Sequence, residues 1–154
     1  MSLLDERLTE LGISIPAQAA APAGSYVPAV ISGNHVYTAG QLPFVDGALP
    51  ATGKVGAEVA PDDAQAYART AAINALAAVA AVLGSLDRVT RVVKVTGFVS
   101  SHPDFFGQPG VLNGASELLG ALFGDAGVHA RSAVGVAVLP LNSPVEVELI
   151  VEFA

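Results

Sequence analysis

The stretch Ala130-Arg131-Ser132-Ala133-Val134-Gly135-Val136-Ala137-Val138-Leu139-Pro140-Leu141-Asn142-Ser143-Pro144-Val145-Glu146-Val147-Glu148 decides the reading of this sequence. From Arg131 to Leu139 valines alternate with small residues. From Val145 to Phe153 apolar residues alternate with Glu146, Glu148 and Glu152. A hydrophobic period of two is the mark of a strand. The link Pro140-Leu141-Asn142-Ser143-Pro144 is made of turn formers, so it is expected to reverse the chain and leave two antiparallel strands. On the first strand, Val134, Val136 and Val138 read as the core face. Arg131 shares the opposite face with the small residues Ala133, Gly135 and Ala137.

Upstream, the period changes. Pro61-Asp62-Asp63 opens a long alanine-rich helix that runs to about Leu83, with proline and acids where a first helical turn favours them, and Gly84 closes it. Arg88 to Ser100 alternates as a strand, His102-Pro103-Asp104 breaks the chain, and a second helix runs from about Pro109 to Phe123. Val27 to Ile31 and His35 to Ala39 flank Ser32-Gly33-Asn34 and make a hairpin, with Pro28 placing its first strand at a sheet edge. Residues Pro43 to Gly56 are turn-rich and read as loop. Leu3 to Leu11 reads as a short amphipathic helix ended by Gly12, and Pro16 to Gly24 as a linker or extended arm. The order α-β-β-α-β-α-β-β predicts an α+β fold, with helices packed on one face of a mixed sheet. One domain is expected over residues 1–154, divided into an extension (1–24) and a core (25–154).

Composition narrows the function classes. Hydrophobic residues make up 52% of the chain and charged residues 14%, so it can bury a full core and retain apolar surface for an oligomer interface. Fourteen acids against seven Lys and Arg give a net charge of −7, which argues against a nucleic-acid partner. The densest basic stretch, Arg88, Arg91 and Lys94, lies within a strand. The absence of cysteine excludes disulfides, thiol catalysis and cysteine-bound zinc. The N-terminal residues lack the apolar core of a secretory signal, and Thr70 to Leu86 reads as too weakly hydrophobic to span a membrane. No membrane partner and a cytoplasmic location are the expectations.

Few residues invite chemistry. Arg131, beside small side chains, has room to take a carboxylate in a bidentate grip; the alternative is a strand-end arginine paired with one of the chain's many acids, and periodicity alone favours that alternative. Of Glu146, Glu148 and Glu152, one could act as a general base, or all three could form a solvated strand face. In an antiparallel pair, about seven residues at about 3.3 Å each would place Arg131 and Glu146 roughly 20 Å apart. If both serve one small-molecule site, that site takes residues from two chains. Tyr26, Asn113 and the Ala39-Gly40-Gln41 turn read as structural on local evidence. His35, His102 and His129 lack the spacing of a metal site, so no metal is expected. The glycines form no dinucleotide or phosphate loop, and no serine sits in a nucleophile elbow.

As a whole, the sequence resembles the RidA (reactive intermediate deaminase) family from about Tyr26 onward. The resemblance rests on Ser25-Tyr26-Val27-Pro28-Ala29-Val30, on Gly33-Asn34-His35-Val36-Tyr37-Thr38-Ala39-Gly40-Gln41-Leu42-Pro43, and on Val92-Val93-Lys94-Val95-Thr96-Gly97-Phe98-Val99. Asp104-Phe105 and Asn113 follow, then Ala130-Arg131-Ser132-Ala133-Val134 through Leu139-Pro140 to Val145-Glu146-Val147-Glu148. The N-terminal extension and the phrase from Gln108 to Ser116 look like a longer branch. The resemblance implies a chorismate-mutase-like α+β fold and a homotrimer with three inter-subunit clefts. It implies hydrolysis of reactive 2-imino or enamine acids to 2-keto acids and ammonia, with no cofactor. Arg131 matches the arginine that holds the substrate carboxylate, and Glu146 the glutamate that positions water. Tyr26 and Asn113 match cleft-lining residues, while Ala39, Gly40 and Ala133 fall where mainly backbone contacts are offered. The family often has Ser at the position of Ala39 and Cys at that of Ala133, so this cleft is expected to be less polar. A module that binds or senses small carboxylates such as keto acids is the alternative. Ribonuclease or translation-inhibitor activity is disfavoured by the −7 charge.

Overall fold

The computed structural model describes residues 1–154. Three helices, α1 (Leu3–Glu10), α2 (Pro61–Leu83) and α3 (Gln108–Phe123), accompany five strands: β1 (Ala29–Ser32), β2 (His35–Thr38), β3 (Val89–Ser100), β4 (Ala130–Val136) and β5 (Val145–Phe153). The sheet order is β1-β2-β5-β3-β4, with β4 parallel to β3 and the other pairs antiparallel. The expected α+β architecture and element order are present.

Local chemistry sets the boundaries. Pro61 occupies the first turn of α2 with Asp62 and Asp63 beside it, and Gly84 ends the helix in the left-handed conformation, φ 81°. A reciprocal Ser2–Asp5 capping box starts α1, and Gly12 follows its end at φ 65°. Gly33, at φ 60°, makes the two-residue turn that sets Ser32 opposite His35. Proline at 28 sits just before β1, which is indeed an edge strand.

The core lies between the sheet and the two long helices. Val145, Val147, Leu149 and Val151 of β5 face the helices and are buried, as are Val92, Val95 and Val99 of β3. Opposite them, α2 contributes Ala64, Ala68, Ala71, Ala72, Ala75 and Leu76. Small side chains let the backbones approach closely. Gly114 of α3 touches α2, where a Cβ would overlap the Gln65 carbonyl oxygen. By length and a mean hydropathy of 1.5, α2 is apolar enough to cross a membrane, so the expectation of weak hydrophobicity understated it. More than half of that span is buried in the fold, which accounts for its composition.

Two expectations are corrected. The last two strands run antiparallel but do not pair: β3 lies between them, because β4 returns from α3 as a parallel crossover strand and the 140–144 link passes over the end of β3. Nor do Val134, Val136 and Val138 form the core face. Val134 pairs across with Phe98 and through it with Glu146, on the face away from the helices, where it is exposed. That open face also carries Val30, Tyr37, Ile150 and Lys94, with no helix over it.

The N-terminal extension packs on the body. Ile13 is buried with the core, Leu4 and Leu8 lie against it, and the Arg7 Nη1 donates to the Leu122 carbonyl at 2.9 Å. Arg88 donates from Nε to the Ala154 carbonyl at 3.0 Å and lies over the Phe153 ring, 5.1 Å from its centroid.

Candidate functional site

Arg131 sits on the helix side of β4, level with Val95. The parallel crossover aims its side chain at α3, where Pro109, Asn113 and Ser116 form one face at helical spacings of four and three. Arg131 Nη1 donates to Asn113 Oδ1 at 2.9 Å and to Ser116 Oγ at 3.2 Å, and Nη2 donates to the Pro109 carbonyl at 3.2 Å. A guanidinium has five N–H groups. Three are taken, all by neutral acceptors, and Nε–H with one hydrogen of Nη2 remains free. The strand-end ion pair favoured by periodicity is absent: the only ion pair in the chain joins His102 and Asp104 at 4.0 Å. A half-buried cation held by uncharged groups, with two adjacent donors free, is prepared for an anion.

Glu146 lies on the other face of the sheet. Gln41 and Val147 exchange backbone bonds, Gln41 N–H to the Val147 carbonyl at 2.8 Å and Val147 N–H to the Gln41 carbonyl at 3.0 Å. This clamp presses Gly40 against Glu146, so that a Cβ at residue 40 would stand 2.7 Å from the glutamate Cδ. Glu146 opens into a cavity of about 460 Å³ with Tyr26, Pro28, Gly40, Gln41, Leu42, Phe44, Pro140 and Leu141. Ala20 to Ala23 of the N-terminal arm close one side. The Tyr26 hydroxyl accepts from the Ala23 N–H at 3.1 Å and pins that arm. Leu141 and Asn142 both adopt left-handed backbone, φ 57° and 56°, an unfavourable conformation for leucine that sets the side of the cavity beside Glu146.

The environment acts on the carboxyl. Burial first, and the neighbouring Glu148 second, hold Glu146 above the usual glutamate range; burial alone does the same for Glu148. These two are therefore not an ordinary solvated strand face. Glu152 is set apart by the Thr90 hydroxyl, which donates to it at 2.9 Å.

The expected residues fall into two groups. Tyr26, Gly40 and Glu146 gather at the cavity, while Arg131 and Asn113 meet at β4 and α3, with Ala133 on the same strand face and half-buried. The Gly40 N–H has no acceptor in the chain, whereas the Ala39 N–H is spent on the Pro28 carbonyl at 2.7 Å, leaving only the Ala39 carbonyl for a contact. Arg131 and Glu146 stand two strands and three residues apart, about 14 Å between Cα atoms, shorter than the distance expected for a simple hairpin. They also point to opposite faces, so one chain cannot bring them to one small ligand. Sequence reasoning missed Ser116, although the Pro109, Asn113, Ser116 spacing marked one helix face. It had no signal for the cavity walls at Leu42, Phe44 and Leu141.

Two helices layered on one face of a five-stranded mixed sheet, with an arginine unpaired by any carboxylate and a half-buried glutamate on opposite faces, define a chorismate-mutase-like α+β protein. The chain belongs to the YjgF/chorismate mutase-like family (described as "putative endoribonuclease"), the family of the RidA proteins, and matches it over residues 5–153. It is 49% identical over 146 residues to Protein TCP17 of Trypanosoma cruzi, which spans 94% of this chain and 91% of that protein. The fold is similar to that of Atu1372 from Agrobacterium tumefaciens, with TM-score 0.90 and 46% identity over 98% of this chain and 92% of that one. Against RidA from an Antarctic Psychrobacter the TM-score is 0.63 and the identity 32%, over 90% of this chain and 96% of that one. The family match thus takes in α1 and the arm as well as the segments from Tyr26 onward.

Proposed function

We propose that the chain assembles as a homotrimer and hydrolyses 2-imino and enamine acids to 2-keto acids and ammonia in clefts between protomers. The observation that carries this reading is the division of the site: an arginine with free donors on one face, and on the other a half-buried glutamate at a cavity, its carboxyl held above the usual range by burial. Laying the β4 edge and α3 of one protomer, which carry Arg131, against the uncovered sheet face of its neighbour, which carries Glu146, completes a site that neither has alone. Arg131 then fixes the substrate carboxylate, with Asn113 holding the guanidinium. Glu146 accepts a proton from water as its oxygen bonds to C2 of the imine. The resulting carboxylic acid gives that proton to the amine nitrogen of the tetrahedral adduct; the C2–N bond then breaks as the adduct's hydroxyl proton passes back to the Glu146 carboxylate, which leaves ammonia and the keto acid. A carboxyl titrating above its usual range serves both as acceptor and as donor. The free Gly40 N–H beside Glu146 is a further donor to the reacting centre.

A binding module would use the arginine without needing a perturbed glutamate, and this favours the enzyme. Ribonuclease activity finds little support in the cations. Arg88 is used on the Phe153 ring, Arg91 lies opposite Glu152, and Lys94 lies opposite Ile150, so no phosphate-binding patch forms. The test generates iminobutanoate in situ with an amino-acid oxidase and times the release of keto acid. Wild type should accelerate it and Arg131→Ala should not. No acceleration by wild type leaves only the binding module, and an Arg131→Ala variant as fast as wild type removes the clamp.

A further inference from the structure

The residues behind Arg131 form a directed hydrogen-bond chain. His129 Nδ1 lies 2.6 Å from the Gly127 carbonyl oxygen, and its Nε2 lies 2.9 Å from Ser116 Oγ. A carbonyl oxygen can only accept, so the ring hydrogen is on Nδ1. In the neutral ring Nε2 is then an acceptor and takes the Ser116 hydroxyl hydrogen. This turns the serine lone pairs toward Arg131 Nη1, which donates to Oγ at 3.2 Å. With a neutral ring, the order Arg131 to Ser116 to His129 to Gly127 runs in one direction.

Two further features show that this arrangement is built. Hydroxyls on helices ordinarily bond back to the carbonyl four residues earlier. Thr9 does so to Asp5 at 2.9 Å and Thr70 to Ala66 at 3.3 Å, but Ser116 gives its hydrogen to the histidine instead. The anchor is also fixed: Gly127 is buried and pressed on α3, where a Cβ would overlap the Leu119 carbonyl oxygen and stand 2.8 Å from its carbon. Asn113 and the Pro109 carbonyl each take one hydrogen, from Nη1 and Nη2; Ser116 takes the second hydrogen of Nη1, and His129 sets which way the serine faces.

We propose that Ser116 and His129 are positioning residues that hold the Arg131 fork at the angle needed for a carboxylate. The idea rests on the reading of Arg131 as a carboxylate clamp. Neither residue touches the ligand; both act through the guanidinium.

Two measurements test it. Long-range proton–nitrogen spectra of the full chain should show His129 as the Nδ1–H tautomer, the minor form in free histidine. An Nε2–H tautomer overturns the proposal whatever the protein binds. Calorimetry with 2-oxobutanoate then compares wild type, Arg131→Ala, Ser116→Ala, His129→Leu and His129→Gln. Ser116→Ala and His129→Leu should weaken binding about tenfold, the equivalent of one hydrogen bond to a charged group. His129→Gln, whose amide oxygen replaces the Nε2 acceptor, should restore affinity close to wild type, a rescue that loss of folding would not give. If Arg131→Ala weakens binding and His129→Leu does not, this proposal falls while the clamp stands. If Arg131→Ala binds as wild type does, the clamp falls and the positioning role with it.

Discussion

Gly40→Ala is the sharpest test of the site. In place of hydrogen, a Cβ at residue 40 overlaps Glu146 Oε1 and stands 2.7 Å from Cδ and 3.0 Å from Cγ. Carbon atoms rest at about 3.5–4.0 Å, so the carboxyl must retreat by roughly 1 Å. The glutamate end is flexible and Gly40 does not have a left-handed φ, so the backbone accepts alanine. An off-rotamer adjustment costs on the order of 1 kcal/mol, which leaves the fold intact. Catalysis is less tolerant: a displacement of about 1 Å at a reacting group lowers the rate on the order of 100-fold. Thermal unfolding should therefore move by a few degrees, while kcat for the proposed iminobutanoate hydrolysis falls steeply and KM, which the proposal assigns to Arg131, changes little. Gly110→Ala is the control, since a Cβ there meets nothing within 4 Å. A Gly40→Ala enzyme with wild-type kcat would mean that the position of Glu146 does not matter, and the assignment of the water-activating carboxyl would be wrong.

Other outcomes follow from features elsewhere. Gly114→Ala forces α3 away from the Gln65 carbonyl of α2 and should cost about 1–3 kcal/mol by overpacking, whereas Gly120→Ala on the same helix faces open space and should gain about 0.5–1 kcal/mol; equal melting temperatures for the two variants would contradict the contact. Because burial raises the Glu146 pKa, the folded state prefers the protonated form, and the carboxylate costs stability above that pKa. Glu146→Gln should therefore melt higher than wild type at neutral pH, the difference closing as pH falls to the usual glutamate range of about 4; a difference that grows on acidification reverses the sign and refutes it. Val134→Asp places a charge on the open sheet face, and if that face joins the proposed trimer, light scattering should find folded monomers. Undisturbed trimers would locate the interface elsewhere.

The sequence was most informative where one residue's own chemistry decides. Pro61 and Gly84 bound α2 because proline suits a first turn and glycine a left-handed cap, and Pro28 put β1 at an edge because it has no N–H to give. It was least informative about which strands become neighbours. The alternation around Val134 reports that one face of β4 is apolar, but it does not record whether that face turns toward the helices or away from them. Arg131 could be singled out from its small neighbours, yet its freedom from any carboxylate depended on α3 supplying Asn113, Ser116 and Pro109, contacts that span 15 to 22 residues. Glu146 acquires its environment from Gly40 and the 20–28 arm, more than a hundred residues away, and no local spacing records that.

The placement of β5 has a consequence for how the chain is made. Residues 145–153 occupy the centre of the sheet, between β2 and β3, which lie parallel and have no other bridge. The hairpin, α2 and β3 can therefore be synthesised and released from the ribosome tunnel while the middle of the sheet is still missing, with the edges of β2 and β3 that receive β5 still bare. Closure must wait for the last strand, and the non-local pairing it requires makes folding slow. A nascent chain stalled before Val145 should be recognised by chaperones and cut by proteases, whereas one tethered through an added linker after Ala154, long enough to free β5 from the tunnel, should resist both.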